Sequence, residues 1–321
     1  MTATPTTPTT GDPSAAIARD ALRVGIGGRL PTTTHYQDAL GVGSGTVQKA
    51  LRGLRDEGAL ALVSRGHQGT FVTDLDPRKL WSATRLAPVH LLLPPNAPPE
   101  ATHVARAVAS VFADLGILTT VGHQRGAEAR LAALGRQEAD LALVSAGAAN
   151  DLLRPGAQRE HRSISLGECT YYAPGTLVTV SRTDAEAGRR SGRLRVALDP
   201  ASDDHRRLTE AQFPPDGVEY VETDFTQVPR AVLLGTIDTG VWHTVDTLIP
   251  LEAAGLRTAP LSTPEALRLV GAISAAVVVA TEDNLPGILL ERAAPRIAAS
   301  GRSDDSAAGM PHPPIRLNVA E

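Results

Sequence analysis

Apolar and polar positions along this 321-residue chain follow one rhythm near its start and another after Pro88. Between Gly28 and Val72 it reads GRLPTTTHYQDALGVGSGTVQKALRGLRDEGALALVSRGHQGTFV. Tyr36 and Leu40 stand four apart, marking one face of a short helix. Beyond a glycine turn, Val47, Leu51 and Leu54 recur at three- and four-residue spacing. They predict a second helix from Gly45 to Glu57, with Ser44 as its N-cap. ALALVS and TFV then read as strands around RGHQG, whose glycines permit a sharp turn. Helix, turn, helix and ribbon, in that order, predict an α+β winged helix-turn-helix head over 14–75.

From Val89 onward short apolar runs alternate with helical stretches. VHLLL, ILTTV and ADLALVS read as strands, separated by helices over 101–115 and GAEARLAALGRQ. A second unit repeats the plan with LRVALD, VEYVETD and DTGVW as strands and SDDHRRLTEAQF and TQVPRAVLLG as helices. Such alternation implies parallel sheets with right-handed connections. GTLVTVSRTD and ISAAVVVAT read as strands crossing between the units. The expected body is therefore an α/β two-lobed domain over 88–300, like a type II periplasmic binding protein. Lobe 1 takes about 88–180 and 262–300, and lobe 2 about 183–260. Residues 76–87 read as a linker with Leu80 and Trp81 packing the junction, and 1–13 and 301–321 as flexible tails.

The polar side chains of the head supply its candidate chemistry. Thr46, Gln48, Lys49, Arg52 and Arg55 lie off the apolar face of the second helix, where they can read bases and grip phosphates. Thr33 and Thr34 open the first helix and Ser44 and Gly45 the second, while Arg65, His67 and Gln68 sit at the ribbon tip. All but Arg55 form the candidate DNA-contact set. Charge agrees: residues 14–80 hold nine basic and six acidic side chains, leaving 22 basic and 29 acidic elsewhere. A mildly basic end on an acidic body suits a protein that touches double-stranded DNA with that end.

The head, from about Ala15 to Val72, resembles the DNA-binding domain of the GntR family of bacterial regulators. It departs where that family usually carries DNA-facing arginines, since Thr34, Ser44 and Gln48 stand there, and Gly43 takes the place of the usual serine cap. A bidentate arginine–guanine contact contributes about 1–3 kcal/mol of discrimination, so the common GntR operator does not transfer. SRGHQGTFVTDLDPRKLW, HQRGAEAR and LGTIDTGVW are instead similar to a YhfZ-type branch. That resemblance implies a GntR-like head joined to a periplasmic-binding-protein-like domain.

Ligands of open α/β sheets bind beyond the carboxyl ends of the strands. That rule nominates Arg125 and Gly126 at a strand-to-helix junction, where amides favour an anion. Ser145 ends a strand, and Ser202 and Asp203 open a helix. Tyr171, beside Thr170 and Tyr172, and Trp242 would supply an aromatic wall. In this picture Arg125 pairs with an anionic small-molecule effector and the serines donate to it. Ser202 and Asp203 read more readily as helix caps than as ligand contacts, Trp242 reads as well as core, and Arg125 reads alternatively as a surface charge.

Other classes find less support. GVGSG follows a helical segment, whereas a dinucleotide loop needs a strand before it. A pyridoxal-phosphate body needs a lysine, yet Lys49 and Lys79 are the only lysines and neither lies in the body. There is no HExxH or GxSxG spacing, so no cofactor, metal or catalytic role is expected. Cys169, the sole cysteine, reads as a small semi-buried residue. No run approaches the roughly 20 apolar residues of a membrane span, and no secretory leader is seen. The expectation is a cytoplasmic, homodimeric regulator. The alternative is a sensor whose winged helix contacts protein.

Overall fold

The computed structural model describes residues 11–153, 161–184, 192–245 and 249–300. The expected tails lie outside these residues, apart from Gly11, Asp12 and Pro13. Asp12 caps α1 (Pro13–Val24), its carboxylate accepting from the Ser14 amide at 2.9 Å.

In the head, α2 (Thr33–Leu40) ends at Gly41 in the left-handed region, and α3 (Ser44–Asp56) follows. The N-cap of α3 is Gly43 and no side chain caps it, so Ser44 is its first helical residue and not the cap expected. Ile17, Ala21, Tyr36, Val47 and Leu54 bury one face of each helix in a common core. The wing is an antiparallel pair, β1 (Leu60–Ser64) and β2 (Thr70–Leu75), and Arg29 bridges to Phe71 on its far side. Gly66 and Gly69 take φ of 57° and 105° at the tip, conformations that L side chains resist.

The 76–87 stretch is not an irregular linker. It carries α4 (Pro77–Thr84), capped by Asp76, which accepts from the Lys79 amide at 3.1 Å. Leu80 and Trp81 are buried against α1. The apolar core consequently runs unbroken from Ile17 through Trp81 into the body at Val89 and Ile297.

The body has two five-stranded sheets among the described residues. The chain runs through β3 (Val89–Leu93), α5 (Pro99–Asp114), β4 (Thr119–His123), α6 (Ala127–Gly135), β5 (Leu141–Ser145), α7 (Ala146–Leu152) and β6 (His161–Ser165). It then crosses on β7 (Leu177–Arg182) to β8 (Leu194–Leu198), α8 (Asp203–Gln212), β9 (Val218–Glu222), α9 (Val228–Leu233), β10 (Thr239–His243) and β11 (Leu256–Pro260). After α10 (Pro264–Ile273) it returns on β12 (Ala276–Thr281) and ends in α11 (Leu285–Ser300). Lobe 1 has the order β4-β3-β5-β12-β6 and lobe 2 the order β11-β7-β10-β8-β9. In each, three parallel strands meet an antiparallel strand that has crossed from the other lobe. This is the type II periplasmic-binding-protein arrangement. β7 belongs to the lobe 2 sheet although it lies largely inside the span expected for lobe 1. ILTTV starts its strand two residues late, because Ile117 is buried in the turn after Gly116 while Leu118 is exposed.

The twin phrases ADLALVS and IDTGVW have a common structural use. Asp140 accepts from the His90 amide and Asp238 from the Arg195 amide, both at 2.9 Å. Each carboxylate thus holds the start of the first parallel strand of its lobe, β3 or β8, leaving the opposite strand ends to face the other lobe.

Candidate functional site

A cleft of about 650 Å³ opens between those strand ends. On the lobe 1 side, β4 leads into Gly126, whose φ of 82° turns the chain into α6. A side chain at Gly126 would sit 3.1 Å from the Ala201 carbonyl of lobe 2, so glycine is needed where the lobes meet. No side chain caps α6, and its first turn lines the cleft.

Polar links already span the two lobes. Arg125 donates to Asp199 and lies 3.4 Å from Asp224. Asp199 is buried and also accepts from the Ala201 and Phe225 amides. Ser145 caps α7, accepting from the Ala148 amide at 3.1 Å, and donates to Asp204 of α8. Arg207 reaches Asp151 at 2.7 Å. His243 Nε2 lies 2.6 Å from the Asn96 carbonyl, which can only accept, so the proton resides on Nε2 and Nδ1 is left as an acceptor.

Arg125, Gly126, Ser145, Tyr171, Ser202 and Asp203 all line this cleft. Their contacts differ from the expected picture in three ways. The Arg125 guanidinium is compensated by two carboxylates of lobe 2 and acts as a bridge. Ser202 occupies the N-cap position of α8 without a side-chain capping bond, while Asp203 pairs with Arg206. Trp242 does not reach the cleft: it packs with Val178, Ile237 and Leu256 in the lobe 2 core. Side chains alternate along a strand, and it is the next residue, His243, that lines the cleft. Cys169 is exposed, in a turn at φ 63°, and not semi-buried.

Arg130 was not anticipated. It is 3 % exposed and lines the cleft from α6. Its Nε donates to the Leu143 carbonyl at 3.1 Å and Nη1 to the Gln124 carbonyl at 2.8 Å. These neutral partners orient the guanidinium, whose charge also acts on Asp204 and Tyr171. Its spacing in GAEARL reads as an ordinary helix position, and only the fold turns it inward. Asp204, His205 and Phe225 were missed for the same reason.

Burial dominates the electrostatics of this floor. It lifts the Asp204 carboxyl to about 6, against which the Ser145 hydrogen bond and nearby arginines pull. It drives His205 well below the usual histidine range and lowers His243 to about 4. Tyr171 is raised by burial to about 12 despite the opposing charge of Arg130. His205 stacks on Phe225 with centroids 4.2 Å apart, and neither of its ring nitrogens has a hydrogen-bond partner. Among the described residues no cluster of three or more His, Cys, Asp or Glu is placed to hold a metal. No described helix is long and apolar enough to cross a membrane.

On the head, Thr34, Ser44, Gly45, Thr46, Gln48, Lys49, Arg52, Arg65, His67 and Gln68 are exposed, and Thr33 is half-buried. Gln48 donates to Thr33 at 3.4 Å, joining the starts of α2 and α3. The Arg65 guanidinium lies over the Phe71 ring, 4.8 Å from its centroid. Arg29, exposed beside Gly69, adds a cation to the wing that the sequence reading had omitted.

The YhfZ C-terminal domain family matches residues 76–292, and a helix-turn-helix domain matches residues 25–72. The chain belongs to the YhfZ family. It is 26 % identical over 271 residues to YhfZ of Escherichia coli (strain K12), itself uncharacterized, spanning 83 % of this chain and 84 % of that protein. The crystal structure of YhfZ from Shigella flexneri is similar at 26 % identity and a TM-score of 0.47, over 70 % of this chain and 93 % of that one. A full-length OxyR variant, C199D from Pseudomonas aeruginosa, is 12 % identical with a TM-score of 0.42, over 91 % of this chain and 99 % of that one. Within the YhfZ family assignment, the present chain joins a helix-turn-helix head to a two-lobed α/β domain.

Proposed function

We propose that this protein is a DNA-binding transcription regulator with a GntR-like head, acting in the cytoplasm as a homodimer. A small ligand with an anionic group, bound between the lobes, sets its affinity for the operator. The observation carrying this reading is the packed, hydrogen-bonded join between head and lobe 1. Arg292 of α11 donates to the Leu22 carbonyl at 2.7 Å and to that of Arg23, while α4 packs on α1. A ligand that favours one relative placement of the lobes shifts the population toward it. Lobe 1 carries its head along, and in a dimer the spacing of the two α3 helices changes. Such helices engage half-sites about 34 Å apart. The cleft serves binding, and no catalytic step is assigned to it.

The test is binding of the purified chain to DNA from its own upstream region, titrated across salt. A protected two-fold site whose affinity falls steeply with salt supports the reading. If no site is protected at any salt, the head contacts protein instead.

A further inference from the structure

The cleft carries four arginines and four carboxylates on its lining. A simple anion entering it meets as much negative charge as positive. Arginines 125, 206 and 207 each form an ion pair with a carboxylate, which leaves Arg130, held by the Leu143 and Gln124 carbonyls beside the Tyr171 hydroxyl, as the lining guanidinium without such a pair. Beside it lies the uncapped first turn of α6, whose amides and helix dipole also favour an anion.

The unsatisfied atoms on the opposite side are of another kind. Asp204 Oδ1 is sealed from solvent and has no hydrogen-bond partner. His243 Nδ1 is likewise unpartnered, in a residue 1 % exposed, and is an acceptor because Nε2 holds the proton. His205, 2 % exposed, presents two more unpartnered nitrogens, of which one accepts when the ring is neutral. Buried polar atoms without partners are costly. Here acceptors gather on one wall and a buried cation on the other. A ligand that completes both carries an anionic end and a donor-rich cationic end.

We propose that the cleft takes a small zwitterion of the α-amino-acid class, with its carboxylate at Arg130 and the start of α6 and its ammonium among Asp204, His205 and His243. This rests on the reading of the cleft as the effector site. The ammonium supplies several donors to acceptors that have none, and its charge compensates Asp204. Tyr171, Tyr172 and Phe225 line the same space with apolar faces for a side chain.

The experiment is calorimetric titration of the full chain, without DNA, with the standard L-amino acids, their deaminated carboxylic acids, and inorganic phosphate and sulfate. Binding of one or more amino acids, with the deaminated partner weaker by about tenfold or more, is the expected result, since a buried charged acceptor loses its donor. Asp204→Asn should weaken the amino acid by a similar factor and leave the deaminated acid unchanged. Should that variant not fold, the paired ligands on the unaltered chain still decide the matter. Equal or tighter binding of the deaminated acid, or binding of phosphate or sulfate alone, overturns the zwitterion while leaving the cleft as an effector site. No binding by any of the three classes overturns both. DNA binding is measured separately, so failure of the head's assignment stays distinguishable.

Discussion

The Ser145 hydroxyl of lobe 1 donates to the Asp204 carboxylate of lobe 2 while accepting from the Ala148 amide of its own helix. One side chain therefore caps α7 and ties the lobes together. Ser145→Ala removes both functions. Loss of an N-cap costs about 1 kcal/mol, and for a domain of this size each kcal/mol lowers Tm by about 2–4 °C. The variant should melt earlier by about that amount. Small-angle scattering of the ligand-free protein should show a larger radius of gyration than the parent. An unchanged radius would mean that the other inter-lobe links suffice.

Acid should destabilise the fold through the two buried histidines. His205 and His243 are held below the ordinary value near 6.5 by burial, His243 at about 4. Between those values the unfolded chain binds protons that the folded chain refuses, so stability falls as pH drops through that window. Asp204 opposes this. Its carboxyl is raised from 3.8 to about 6, so its contribution favours the fold on the acid side and is lost as pH rises through about 6. Two histidines against one carboxyl leave a net loss on acidification from pH 7 to about 4.5. His205→Phe, which keeps a ring against Phe225, should flatten the curve of Tm against pH. Identical curves for variant and parent would remove His205 as a cause.

The elements legible beforehand were those with a strong apolar rhythm. VHLLL, ADLALVS and the crossing strands bury half or more of their side chains, and their runs announce it. The strands HRSIS and LRTAP were not anticipated, because each sits at a sheet edge with polar residues on the exposed side. The cleft was legible to the extent that strand ends predict it, and Arg125, Ser145 and Tyr171 do lie on its lining. What stayed hidden depends on which way a side chain faces. Trp242 and His243 are neighbours in sequence, and only the register of β10 sends the first into the core and the second to the cleft. Arg130, a buried cation held by carbonyls, has no local signature at all.

Two substitutions on α3 should separate positioning from reading. Lys49 is exposed on the helix surface. Lys49→Ala should weaken DNA binding for all sequences alike and reduce the slope of log affinity against log salt by about one. Gln48 bonds to Thr33 at the same face. Gln48→Ala should instead cost about 1–3 kcal/mol on the preferred site and relax preference at one base position. Electrophoretic mobility shifts on a library of operator variants, at several salt concentrations, distinguish the two. If neither substitution changes affinity, α3 is not the helix that enters the groove.

Coupling between cleft and head should depend on Arg292. The last carbonyls of a helix lack partners within it and carry its negative dipole end. Arg292 satisfies those of Leu22 and Arg23 from α11, and Arg23 reaches back to the Asp283 carbonyl just before that helix. Between them stands Gly25, with φ 73°, where a side chain would come within 3.0 Å of the Arg292 guanidinium. Arg292→Ala leaves the cleft lining and the α3 face intact but removes the polar clasp between α1 and α11. Ligand affinity in the absence of DNA should therefore stay close to that of the parent, while the change in DNA affinity caused by ligand shrinks. Linkage requires the reciprocal loss, a smaller effect of DNA on ligand affinity. A variant that keeps the full ligand response would place the coupling in the apolar contact of α1 with α4 and α11 alone.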